Sequence, residues 1–138
     1  MLCINKMKEK EPKFRCGTKE AIDGLVAKYS YSYAEWMQDW PYEIADPKEI
    51  ENYFQHYDEQ TDEDKKFCLM EMLIQALTNI ENDTDFNKNW NLLEERLHKD
   101  FQIHEYTIFY WSCFGKKLSD CWKVTPYMRK LWKEIKNG

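Results

Sequence analysis

The sequence predicts an all-α protein, a single-domain orthogonal bundle of about six to seven helices. Apolar residues recur at helical spacing along most of the chain, capping residues and early prolines punctuate it, and no alternating strand pattern is present. Only 4 of 138 residues are glycine, which leaves few positive-φ positions for the tight hairpins of a sandwich or barrel. The length suits one domain, and 6 Trp, 9 Tyr and 7 Phe supply a core.

Residues 1–17 carry Lys6, Lys8, Lys10, Lys13 and Arg15 with little periodicity, the pattern of a basic flexible N-terminal arm ahead of a helical domain over 18–138. Thr18 offers a cap to a first helix over 19–30, whose buried stripe is Ile22, Leu25, Val26 and Tyr29. Gly24 inside it marks a close helix crossing. A short helix is expected over 33–39, closed by Pro41, because a proline pushes the residue before it out of the helical region. Asp46-Pro47 then opens a helix that buries Ile50, Tyr53, Phe54 and Tyr57.

Thr61 and the acids after it start the next helix, apolar almost all round from Phe67 to Leu77 and therefore the centre of the core. The cluster Asn82-Asp83-Thr84-Asp85 caps a long amphipathic helix with Phe86, Trp90, Leu93, Leu97 and Phe101 on one face. The run 107–111 suits a strand or a buried helix; no partner strand is visible, so a helix over 104–113 ending at Gly115 is expected. Thr125-Pro126 opens the last helix, with Met128, Leu131, Trp132 and Ile135 inward. Trp90, Trp111 and Trp132 fall on apolar stripes and read as core.

No stretch approaches the ~20 apolar residues of a membrane span, and the N-terminal residues lack a signal-peptide pattern, so a cytoplasmic, membrane-free protein is expected. The five cysteines are odd in number and scattered, which makes reduced thiols the default. Neither Cys113 and Cys121 nor His98 and His104 have zinc-ligand spacing, so no metal and no cofactor are expected. The three histidines have no local nucleophile signature and there is no glycine-rich phosphate loop. Glu94 and His98 stand at i, i+4, a spacing that reads as an exposed hydrogen bond. A non-enzyme is expected.

Charge is polarised along the chain. Residues 35–64 hold 11 acids against one base, whereas 116–136 hold seven bases against two acids. One reading makes both runs solvated helix faces, with the acids as caps and dipole partners. The sharper reading is an acidic, aromatic protein-binding front built from Glu35, Trp36, Asp39, Trp40, Tyr42, Glu43, Asp46, Glu49, Tyr53, Asp58 and Glu59. Aromatic rings would supply desolvated contact area and carboxylates would steer a basic partner. Direct binding of nucleic acid there is electrostatically unfavourable.

The segments Tyr53-Phe54-Gln55-His56-Tyr57-Asp58-Glu59, Lys66-Phe67-Cys68-Leu69-Met70-Glu71-Met72, Tyr110-Trp111-Ser112 and Val124-Thr125-Pro126-Tyr127-Met128-Arg129 resemble those of small helical immunity proteins of bacterial polymorphic or contact-dependent toxin systems. The resemblance touches the central and C-terminal two thirds of the chain. It implies a protein that neutralises a cognate toxin, often a nuclease domain with a basic cleft. It carries no contact residues over. The alternative is a cytosolic adaptor or regulatory module whose basic C-terminal helix binds an acidic partner or DNA.

Overall fold

The computed structural model describes residues 10–138, and over them the chain is all-α, with seven α-helices, two 3-10 turns and no strand. The helices are α1 (Lys19–Tyr29), α2 (Trp40–Ile44), α3 (Ile50–Asp58), α4 (Glu63–Thr78), α5 (Asp83–Lys99), α6 (Phe101–Ser112) and α7 (Thr125–Asn137). The described residues form two compact units, Cys16–Leu93 and Glu94–Gly138, the second together with the described part of the segment before Cys16. Much of the basic arm expected over 1–17 lies outside the described residues. Over 10–17 there is no helix, Phe14 meets Tyr106 edge-on at 5.1 Å, and Gly17 lies against Cys68. A Cβ at Gly17 would stand 2.8 Å from Cys68 Sγ, so this close approach requires glycine.

In the Cys16–Leu93 unit, local chemistry sets most helix ends. Thr18 Oγ1 accepts the Ala21 N–H at 3.1 Å, and Ser30 ends α1 in the left-handed region at φ 59°. At Gly24 a Cβ would meet only the end of the Lys65 side chain, so the close approach expected there is to a flexible stem. The helix expected over 33–39 does not form. That segment is irregular, with one turn closed by the Met37 N–H on Ala34 O at 2.9 Å, and the helix begins at Trp40. The error lies in Pro41, which sits in the first turn of α2, where no N–H is needed and its φ is already helical. The Asp39 N–H donates to Glu43 Oε2 at 2.9 Å, fixing the entry to α2.

Asp46-Pro47 does start a helix, first as a 3-10 turn (Pro47–Glu49) that continues into α3. Asp62 rather than Thr61 caps α4, its Oδ1 accepting the Asp64 and Lys65 N–H groups at 2.8 and 3.1 Å. Helix α4 buries nine side chains and packs against α1, α2 and α3. It is the centre of this unit, as expected. Emptying one of its Leu or Met positions to Ala would cost about 2–5 kcal/mol.

Asn82 Oδ1 caps α5 through the Asp85 N–H at 2.9 Å, and Phe86, Trp90, Leu93 and Leu97 are buried along it. The stripe was expected to run on to Phe101, but α5 stops at Lys99 and Phe101 opens α6 three residues before the expected start at 104. The ambiguous run 107–111 is helical. Its end comes at Cys113, in the left-handed region at φ 53°, ahead of Gly115. Arg129 of α7 satisfies the orphan carbonyls there: Nε donates to Ser112 O at 2.6 Å and Nη2 to Cys113 O and Lys116 O at 2.7 and 2.9 Å.

Thr125, read as a cap, is buried; its hydroxyl donates to Trp111 O at 2.9 Å and accepts the Trp122 N–H at 3.2 Å. It ties α7 to α6. Cys113 and Cys121 form a disulfide, which corrects the reduced-thiol expectation for that pair, while Cys16 and Cys68 are free. Trp90, Trp111 and Trp132 are core side chains. No helix of the described residues is long and apolar enough to cross a membrane.

Candidate functional site

The Cys16–Leu93 unit contains a cleft of about 380 Å³, near the lower end of the range for small-ligand pockets and large enough for one inserted side chain. Its wall is made by the irregular segment and α2, through Tyr33, Asp39, Trp40 and Tyr42, and it also reaches Glu71 of α4. Glu71 is the sole charged residue between Phe67 and Leu77. A helix enclosed almost all round holds it half-buried at the floor of the cleft. Burial pushes its carboxyl up to about 7, the Tyr42 hydroxyl donating at 2.9 Å works the other way, and the charge of Asp39 raises it further.

Trp40 is fixed at the back of this cleft, 1% exposed, with Nε1 donating to Ser32 O at 2.7 Å. Lys19 stands at the rim, its Nζ 5.5 Å above the Tyr33 ring and 3.4 Å from Asp23 Oδ1. That contact is a cation–π pair at the mouth of the cleft. Deeper in, the free thiol of Cys68 is pushed up to about 12, chiefly by burial and then by the charge of Glu71, and is chemically inert.

The eleven residues of the expected front divide. Asp39, Trp40 and Tyr42 come together at the cleft, and Trp36, 72% exposed, and Glu35, also exposed, precede them on the irregular segment. Tyr53 is buried in the core, where its hydroxyl accepts the Asp46 N–H at 3.1 Å, which removes it from an exposed front. Trp40 likewise forms a wall instead of an outward contact. Several acids are engaged locally: Glu43 binds the Asp39 N–H, Asp46 Oδ1 accepts the Lys48 N–H at 3.0 Å, and Glu49 accepts from Asn52 Nδ2 at 2.8 Å. Asp58 is exposed at the end of α3.

Glu59 accepts the Tyr29 hydroxyl at 2.7 Å, a bond that holds its carboxyl below the usual range. Tyr29 stacks on His56 at 3.8 Å, and the Tyr31 hydroxyl shares a hydrogen bond with His56 Nδ1. Burial raises the phenols of Tyr29, to about 12, and Tyr31, and lowers the His56 imidazole. This cluster braces α1 against α3.

Sequence reasoning missed Tyr33 and Glu71. A lone carboxylate inside an otherwise apolar helical run was the available signal for Glu71, because an ionisable group there must be desolvated. The basic C-terminal helix is partly committed as well: Arg129 clamps carbonyls, and Lys136 pairs with Glu105 at 2.5 Å. No protein-family model matches the chain, and no curated protein or solved structure is significantly similar to it.

Proposed function

We propose that this chain is a non-catalytic binding protein of the immunity type, which neutralises a cationic toxin domain by receiving one of its lysine or arginine side chains in the Glu71 cleft. The observation that carries the reading is a largely buried carboxylate sharing an aromatic-walled cleft with a second acid, Asp39, on a segment whose Trp36, one residue before the lining residue Met37, is exposed. An inserted cation would relieve the repulsion between the two acids and ionise Glu71, with Tyr33 and Tyr42 as the aromatic lining it meets. Exposed aromatics beside a charged anchor match the anatomy of binding hot spots. The resemblance to immunity proteins points the same way, and such a partner accounts for a carboxylate placed where it destabilises the fold.

Co-purification with the product of the adjacent gene tests the reading. A stable complex is expected, weakened about tenfold or more by either Glu71→Gln or Trp36→Ala. Affinity should rise between pH 6 and 8 as Glu71 ionises, and Glu71→Gln should flatten that rise. Absence of a complex, or one indifferent to both substitutions, would reject it.

A further inference from the structure

In the Glu94–Gly138 unit, two helices bring three potential metal ligands together. Glu94 and His98 lie four residues apart on α5 and so share a face, and Glu134 reaches them from the last turns of α7. One ligand atom from each lies within 4.8 Å of the other two. The i, i+4 pair is visible in the sequence, but the third ligand is 36 residues beyond His98 and arrives only through packing.

The donor set decides which ion fits. An imidazole nitrogen with two carboxylate oxygens is a poor cage for calcium or magnesium, which take oxygen ligands, and suits a first-row divalent ion. Three protein ligands with one coordination position left over is the arrangement of open zinc sites. Bonds of about 2.0–2.2 Å place tetrahedral ligands roughly 3.4 Å apart, so a small rotamer change closes the present spacing. His98 and Glu134 are exposed and Glu94 is half-buried, so their side chains have room to make it. Two carboxylates this close repel each other, and a divalent cation between them removes that repulsion.

We propose that Glu94, His98 and Glu134 form a three-ligand site for a divalent transition-metal ion of the zinc class, with water or a partner's side chain as the fourth ligand. The ion links α5 to α7 and so fastens the C-terminal helix. It is independent of the Glu71 cleft.

Titration of the full chain with Zn²⁺ by calorimetry, and with Co²⁺ by visible absorption, tests the site. One ion per chain is expected, with the ligand-field bands of four-coordinate cobalt. His98→Ala and Glu134→Gln should each weaken binding about tenfold or more, since removing even an outer-shell partner costs that much. Glu95→Gln, on the same helix, and His56→Ala should leave it unchanged. All four variants alter residues at the surface or half-buried, and circular dichroism verifies that each is folded. No binding up to millimolar Zn²⁺, binding indifferent to His98→Ala and Glu134→Gln, or binding abolished by Cys16→Ser would overturn the proposal.

Discussion

Residues 31–42 and helix α6 (Phe101–Ser112) are equally crowded with aromatic rings, yet they fold in opposite ways. The first is irregular until Trp40, leaving Trp36 72% exposed; the second is one regular helix with Trp111 1% exposed. Aromatic content therefore does not determine burial. What differs is backbone closure: α6 satisfies its own amides and hands its last carbonyls to Arg129, whereas Pro41 restarts the chain at α2 and leaves the residues before it to side-chain anchors such as the Trp40–Ser32 bond. Within each region burial follows the side a ring faces, with Trp40 1% and Tyr110 44% exposed.

Trp40→Ala and Trp111→Ala probe the comparison hardest. Each should cost about 3–5 kcal/mol in denaturant unfolding, because each empties a fully enclosed ring site. A small loss at Trp40 would mean that the irregular segment is not anchored as described.

The next test separates the two regions by pH. Glu71, against which the first region packs Tyr42, is raised from 4.5 to about 7, so the folded state holds the proton more tightly than the unfolded chain. Its contribution to stability is therefore full below pH 4.5 and is lost as the pH climbs through 7, a change of about 3 kcal/mol. Glu71→Gln should remove this slope and raise stability at pH 8 by up to that amount, as read from urea melts at pH 5 and pH 8. Parallel pH profiles of variant and wild type would refute the burial argument.

A third test bears on the end of α6, where the Cys113–Cys121 disulfide closes a short loop of sequence separation 8. Cys113→Ser with Cys121→Ser should lower stability under non-reducing conditions by about 2–3 kcal/mol and leave the Glu71 pH slope intact. The smallest effect belongs to Trp36→Ala, which should change stability by less than about 0.5 kcal/mol because its ring is exposed, while weakening partner binding. A large stability loss there would show that Trp36 serves the fold.

Much of this architecture was legible from residues within a turn or two of one another. Thr18 and Asn82 cap the helices expected of them, α4 is the buried centre, and the stripes Phe86-Trp90-Leu93-Leu97 and Met128-Leu131-Trp132 face inward. The misreadings came where one local signal had two meanings: Pro41 could end a helix or begin one, and Phe101 could close a stripe or open α6. In the cleft, Asp39, Trp40 and Tyr42 were readable from composition; Glu71 was hidden inside an apolar run.

By itself the sequence determined most of the helices, the caps at Thr18 and Asn82 and the main apolar faces, because hydrogen bonding and side-chain periodicity act over about four residues. Tertiary structure alone decided which tryptophan is walled in, which carboxylate loses its water, that Cys113 meets Cys121, and that Glu134 reaches Glu94 and His98. Those outcomes depend on chain segments that approach one another only after packing, and desolvation and proximity have no signature in local order along the chain.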